Sequence, residues 1–393
     1  MVSVIIPNYN HGQYVGDAIR SVLAQDYPCR EIIIVDDGST DDSRERIAHF
    51  GEQVRYIFQA NAGLSAARNT GIRASKGSLI AVLDADDMFE PGFLTQLVPV
   101  LEAHPEAGGI HCGYQFVDQN NNLLPQIEVR EHAPEQLYDL LLDGDYFVPE
   151  SIILRRCVYD VVGLFAEDLR ACEDWDLWLR AAKNYKILNF PAILTRHRVL
   201  AGSMSTDPLR MLEGRLAVLK KHLGKEPLRS GSSTAHRAYA RAYLGSCVEY
   251  WQYGNASKVS ECFQRAFLLC PDLMREVDTF YQLGCGDQAK GYMGDLKSLR
   301  VERTRAEVLA LVDGLFPDST DYQDPVKKAI YGTAHLALGM LAYGTRELEL
   351  SRRCFAHAVA AEPCLILDAR LVGRWIKTLV PRSLLNRLRT LHG

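Results

Sequence analysis

The sequence has no C-x-x-C pair and no cysteine–histidine cluster at zinc-ligand spacing, so its 10 cysteines read as ordinary buried thiols of a reducing compartment. It has no apolar run near the ~20 residues that a membrane-spanning helix needs. It has no excess of positive charge either: 44 Lys and Arg stand against 49 Asp and Glu, for a net charge of −5. That balance excludes a global nucleic-acid-binding surface and leaves only local basic patches. The sequence starts directly with the strand-like Val2-Ser3-Val4-Ile5-Ile6. The absences point to a cytoplasmic protein with no nucleic-acid partner. With 393 residues, 47% of them hydrophobic, two domains are expected rather than one.

What the sequence does have is an abrupt change of character at Leu79-Ile80-Ala81-Val82-Leu83-Asp84-Ala85-Asp86-Asp87. An apolar run suited to a buried strand ends in three carboxylates. On an extended segment Asp84 and Asp86 project the same way, and carboxylates held together repel unless a positive partner sits between them. Mg2+ or Mn2+, sharing its coordination with water and substrate phosphates, would be such a partner. The competing reading is a solvated acidic turn in which Asp84 or Asp87 caps the next helix.

Four apolar runs (Val2 to Ile6, Glu31 to Val35, Val54 to Phe58, Leu79 to Leu83) alternate with helical patterns over Gln13 to Leu23, Asp41 to Phe50 and Leu64 to Ala74. The alternation predicts an α/β fold, a mostly parallel sheet with helices on its faces. Ligands of such sheets bind at the carboxyl ends of the strands. There the sequence places Pro7-Asn8-Tyr9-Asn10, then Asp36-Asp37-Gly38-Ser39-Thr40-Asp41, then Asp84, Asp86 and Asp87. Asp37 could accept from a base N–H, Tyr9 could stack on a ring, and a metal at Asp86 could hold a diphosphate. Each has a plainer reading as turn, cap or core.

These stretches, together with Asn61-Ala62-Gly63-Leu64-Ser65-Ala66-Ala67-Arg68-Asn69-Thr70-Gly71, resemble in order and spacing the successive motifs of family 2 glycosyltransferases, inverting enzymes of the GT-A fold. The resemblance covers about the first half of the chain. It implies Pro7 and Tyr9 in the base pocket, Asp37 on the uracil, Arg68 close to the nucleotide, Asp84 toward the ribose and Asp86 on Mn2+ or Mg2+. Asp87 has no assigned part. Without the resemblance Arg68 would read as a helix-surface arginine.

A second chemical stretch is Cys172-Glu173-Asp174-Trp175-Asp176-Leu177-Trp178. Helical spacing puts Asp174 on the stripe of Leu177, Trp178, Ala181 and Tyr185, facing inward from a first turn. An inward acid is a candidate base for an acceptor hydroxyl; acids at a helix start also simply complement its dipole. The family's E-D-W or E-D-Y motif matches Glu173-Asp174-Trp175, which favours Asp174 as the base with Glu173 as the alternative. The chain departs from the family at Thr195 to Ser205, where Leu200 stands in the place of a histidine and His197 lies three residues early. His197 is a candidate metal or diphosphate ligand, against a structural role.

Between these motifs, Glu90 to Gly108 reads as a helix, Gly109 to Val117 as a strand, Asp118 to Asn122 as a hairpin tip and Leu123 to Asp145 as acceptor-facing loops. Beyond Pro208 the periodicity turns helical. Tyr243 to Pro271, with Gly254, Cys262-Phe263 and Ala266, looks like His335 to Pro363, with Gly344, Cys354-Phe355 and Ala358; both resemble tetratricopeptide-type hairpins. The tail from Ala369 is basic and amphipathic, a candidate for peripheral contact with the inner face of a membrane or for a last packed helix.

The expected organisation is therefore a GT-A catalytic domain over residues 1–208, an α-helical domain over 209–368 and the tail over 369–393. The helical domain could bind a protein partner or mediate self-association. The expected activity is metal-dependent, inverting transfer of a sugar from a nucleotide-sugar, with UDP the favoured nucleotide, to a hydroxyl of a glycan, lipid-linked or protein acceptor in polysaccharide biosynthesis. The alternative is a catalytically inactive GT-A-like scaffold protein. A sugar nucleotidylyltransferase is disfavoured because Pro7-Asn8-Tyr9-Asn10 is not the glycine-rich basic loop it would need.

Overall fold

The computed structural model describes residues 1–28, 30–144, 147–317, 324–363 and 365. The chain divides into two compact units, Met1–Gly224 and Lys225–Gly393. The division falls beyond the expected Pro208 because the helix that follows it belongs to the first unit, for a reason given with the site below. The basic tail from Ala369 lies outside the described residues.

The first unit begins with four strands: β1 (Val2–Asn8), β2 (Arg30–Asp36), β3 (Arg55–Phe58) and β4 (Leu79–Val82). They pair in parallel in the order β3-β2-β1-β4. The crossovers carry helices α1 (Gly12–Leu23), α2 (Ser43–Ala48) and α3 (Leu64–Ala74), the connection length that parallel strands require. Both faces of β1 are covered, and all seven of its residues are buried, which is why the strand reads as continuous apolar sequence rather than alternating. Gly71 lets α3 reach the sheet: a Cβ there would stand 2.2 Å from Ile5 Cγ2.

The half formed by these four strands is parallel as expected, and the rest of the sheet is mixed. After β5 (Met88–Phe89) and α4 (Phe93–Glu102) come β6 (Ala107–Val117), β7 (Leu123–Glu128), α5 (Leu137–Leu142), β8 (Ile152–Arg155), α6 (Arg156–Val162), α7 (Glu173–Asn184), β9 (Lys186–Arg198) and α8 (Pro208–Leu223). β8 joins β4 and β6 antiparallel, β9 runs parallel to β6 and antiparallel to β5, and β7 forms a hairpin on β6. A short connection admits only the antiparallel arrangement; the Asp118 carboxylate closes the β6–β7 tip, accepting from the N–H groups of Asn120 and Asn122 at 2.8 Å.

The second unit is helical among the described residues: α9 (Thr234–Gln252), α10 (Ala256–Leu269), α11 (Val277–Gly284), α12 (Val301–Gly314), α13 (Pro325–Gly344) and α14 (Leu348–Ala361). α9–α10 and α13–α14 are hairpins that share one turn design. Asn255 N–H reaches back to the Tyr250 carbonyl at 3.0 Å and Glu347 N–H to the Ala342 carbonyl at 2.8 Å, the six-to-one bond of a left-handed helix stop. The left-handed residue is Gly254 (φ 68°) in one turn and Arg346 (φ 66°) in the other. Gly344, the sequence counterpart expected for Gly254, instead closes α13. Small residues allow the close approach: a Cβ on Gly339 of α13 would stand 2.6 Å from Phe355 of α14.

Candidate active site

The acid turn leaves the sheet as anticipated, but in a tighter form. β4 ends at Val82; Leu83 N–H still reaches the Ile5 carbonyl at 2.9 Å, and the chain then turns with Asp87 N–H on the Asp84 carbonyl at 3.0 Å. Asp84 and Asp86 therefore sit on a turn, where strand alternation does not govern them, and each takes a different neighbour.

Asp84 belongs to Arg68. The guanidinium, only 1% exposed, spans Asp84, whose two oxygens each lie 2.8 Å from Nη2, and Glu173, whose Oε1 lies 2.6 Å from Nη1. It also stacks 5.1 Å from the Phe165 ring centroid. Arg68 is thus a buried clamp between α3, the acid turn and α7, not a surface arginine. Cys172, at φ 60°, starts α7 from a left-handed conformation that non-glycine residues seldom adopt, and so presents Glu173 and Asp174 at the helix start. Glu173 is buried on Arg68. Asp174 is half-buried, accepts from Trp175 N–H at 2.8 Å and feels the Arg68 charge.

The fully buried acid of α7 is Asp176, whose environment explains the position of the unit boundary. Lys221 Nζ and His222 Nε2 of α8 both approach it to 2.9 Å, and Arg180 Nη2 approaches to 2.8 Å. Burial opposes ionisation, but His222, Lys221 and Arg180 outweigh it and hold the carboxyl well below the ordinary range. α8 is tied to α7 by this charge cluster and cannot belong to the other unit.

Asp86 has His11 for a neighbour, its Oδ1 lying 3.6 Å from Nδ1. Burial opposes the Asp86 charge, while His11 and the charge of His197 hold its carboxyl below the ordinary value; Asp86 in turn raises the His11 imidazole. Asp87, unassigned from sequence, is buried. It accepts from Arg198 N–H at 2.7 Å, and its Oδ2 lies 3.2 Å from His197 Nδ1. The same nitrogen is 3.0 Å from Glu150 Oε1. Asp87, Glu150 and His197 form the one group of metal-ligating type among the described residues, with ligand atoms within 4.8 Å of one another. Both carboxylates thus approach the same ring nitrogen of His197, Nδ1.

The remaining predicted residues line the other strand ends. Pro7 is buried in β1 and Tyr9, just beyond it, is 49% exposed. Asp37 is buried with both oxygens engaged: Gln59 Nε2 at 2.7 Å, Ala62 N–H at 2.9 Å and Gly63 N–H at 2.8 Å. A carboxylate offers roughly four acceptor positions, so Asp37 chiefly orders the loop ahead of α3, with one position to spare. His11, Glu150 and Arg198 escaped the sequence reading. Arg198 is the brace of the site: Nε donates to the Asp86 carbonyl at 2.7 Å and Nη1 to the Gln119 carbonyl at 2.9 Å, with the guanidinium 4.8 Å from the Tyr14 ring centroid. Its only sequence signal was adjacency to His197.

A parallel half-sheet with polar loops at its carboxyl ends, continued by a mixed half that returns an acid helix to the same crevice, is the GT-A fold. The profile of glycosyl transferase family 2 matches residues 3–160. An uncharacterized glycosyltransferase of Rickettsia prowazekii (strain Madrid E) is 30% identical over 222 residues, covering 54% of this chain and 68% of its own length. One from Nostoc sp. (strain PCC 7120) is 43% identical over 129 residues, 32% of this chain and 40% of its own. The crystal structure of S. aureus TarS 1–349 in complex with UDP-GlcNAc is a looser likeness: TM-score 0.46 at 16% identity, covering 92% of this chain and 90% of that one. The chain belongs to glycosyl transferase family 2 and is a glycosyltransferase. No described helix is long and apolar enough to cross a membrane.

Proposed function

We propose that the chain transfers a sugar with inversion from a nucleotide-sugar, with UDP the favoured nucleotide, to a hydroxyl acceptor in polysaccharide assembly, and that it does so with a divalent metal. The observation that carries this reading is the division of labour among the acids of one crevice. Glu173 and Asp84 neutralise Arg68. Asp86 lies beside His11, with a side chain 16% exposed. Asp174 is the half-buried acid beside them at the start of α7.

Asp86 and His197 Nε2 would hold Mn2+ or Mg2+, with Asp87 and Glu150 fixing the imidazole ring; the donor set of carboxylate and imidazole suits Mn2+. When bound, the ion neutralises charge on the departing diphosphate. The protein's own groups do the rest. Tyr9 stacks on the base beside Pro7, and Asp37 turns its remaining acceptor position to the base edge while ordering the loop before α3. Arg68 holds the Asp84 side chain, aimed at the ribose. Asp174 takes the proton of the acceptor hydroxyl as that oxygen bonds to the anomeric carbon and the nucleoside diphosphate leaves from the opposite face. Glu173 is poorly suited to that task, because its charge is already committed to Arg68.

UDP with Mn2+ should raise the melting temperature of the intact protein, and Asp86→Asn should remove the metal-dependent part of the rise. Asp174→Asn should keep that rise and abolish transfer. A rise independent of metal would defeat the assignment of Asp86, and full turnover by Asp174→Asn would move the base elsewhere.

A further inference from the structure

The β6–β7 hairpin carries a feature that sugar chemistry does not use. Along β7 and the residue after it, exposure alternates: Leu123, Pro125, Ile127 and Val129 are exposed, while Leu124 between them is buried. Leu123 is 59% exposed and Ile127 51%. Solvent faces of hairpins normally alternate to polar residues; here the outward row is apolar throughout. At about 3.3 Å per residue it runs for roughly 20 Å.

Three observations decide what suits this row. It is continuous with the reaction centre: Arg198 donates both to the Asp86 carbonyl and to the Gln119 carbonyl at the hairpin tip, and Arg196 reaches Asn121 Oδ1 at 3.3 Å. It is ill-suited to pairing with a strand of another copy. Pro125 has no N–H to donate, and the ladder with β6 is irregular between Gln115 and Val117, where Gln115 Nε2 caps the Leu124 carbonyl at 3.1 Å. Finally, no cation is interleaved in the row, and the Arg130 beyond it pairs with Glu128 at 3.3 Å, so it lacks the basic residues that draw a protein onto an anionic bilayer.

We infer that the exposed apolar row of β7 binds the hydrocarbon chain of a lipid-linked acceptor, holding the acceptor's sugar end toward Asp174. The inference rests on the transferase reading and specifies its acceptor class. A single chain lying along one strand matches a row one residue wide; Leu123, Ile127 and Val129 give it apolar contact, and the braced tip relates that contact to the acid turn.

The test uses the full-length chain and dodecyl maltoside carrying a photoactivated diazirine at the end of its alkyl chain, below the concentration at which it forms micelles. After irradiation and peptide mapping, adducts should concentrate on residues 123–129. The double variant Leu123→Ser/Ile127→Ser, at exposed positions and so expected to melt as the wild type does, should lose them by about tenfold. Adducts spread elsewhere, or unchanged in the variant, overturn the inference. So do binding of wild type but not variant to phosphatidylcholine vesicles, which would make the row a bilayer contact, and a wild-type dimer that the variant dissolves. UDP with Mn2+ in a parallel melting experiment separates the two readings. Stabilisation by UDP with no β7 adducts sinks the lipid-chain inference alone; adducts with no nucleotide response sink the transferase chemistry instead.

Discussion

The two units bury different things. Met1–Gly224 buries Asp36, Asp37, Arg68, Asp87, Glu150, Glu173, Asp176 and Arg198, whereas the buried polar side chains of the helical unit are mainly neutral: Ser246, Thr279, Gln288, Thr304, Thr333 and Ser351. Burying an ionisable group is unfavourable unless partners meet it, so a fold that collects eight of them is holding these groups for a use. The helical unit meets the general need of a core, apolar contact with hydroxyls and amides satisfied locally, as where Ser351 Oγ donates to the Gly339 carbonyl at 2.9 Å. Charge is concentrated where substrate charge must be met; its scarcity elsewhere marks a region whose stability comes from packing.

The strongest way to break that comparison is to remove one buried residue from each unit. Arg68→Met leaves Glu173 and Asp84 without their cation and should destabilise the protein by about 3–5 kcal/mol. Phe355→Ala, which opens a cavity against α13, should cost about 3–5 kcal/mol as well. Urea denaturation should show similar losses, but only Arg68→Met should abolish stabilisation by UDP. Equal loss of nucleotide response in both would mean that the units do not divide chemistry from packing.

A smaller effect concerns acid. The imidazole of His335, stacked 4.8 Å from that of His357, is pushed from its ordinary 6.5 down to about 4, by burial first and then by the charges of His357 and Arg305. The folded protein keeps this ring neutral while the unfolded chain takes up a proton. The stabilisation is therefore complete above about pH 6.5 and declines as the pH falls toward 4. His335→Leu should flatten the dependence of the urea midpoint on pH across that window; an unchanged slope would place the acid sensitivity in the ions of the first unit.

The smallest effect sharpens the helical unit against itself. Gly254→Ala should lose about 1 kcal/mol, and Arg346→Gly should gain up to about 1 kcal/mol, since both residues sit in the left-handed region that costs a side-chain-bearing residue about that much. Opposite shifts in melting temperature would support the shared turn design of the two hairpins. Shifts of one sign would refute it.

Much of the catalytic unit is legible locally. The parallel strands β1, β2 and β4 show as continuous apolar runs because both their faces are covered, and the motifs at their ends are short segments close together in sequence. The pairing of Arg68 with Glu173 was out of reach, because the two meet only when α3 and α7 enter the same crevice. Asp176 was unread for the same kind of reason: an acid in a first helical turn looks solvated until Lys221 and His222 arrive from α8. In the helical unit the repeat was legible, but the match of Gly254 to Arg346 was hidden, since a conformation can be shared by residues with no chemical likeness.

The sequence alone determined the parallel strands of the first half, where the chain turns after them and which carboxylates lie at those turns, because periodicity, glycine and proline act over a few residues. Only the tertiary structure decided which acid is committed and which is available. Asp84 and Glu173 are held by Arg68, Asp176 is neutralised by α8, and Asp87 is fastened to His197 and Arg198. Asp86 lies beside His11, and Asp174 is half-buried at the start of α7. The state of a carboxylate depends on the charges and burial within a few ångströms of it, and those are contributed by segments far apart in the chain.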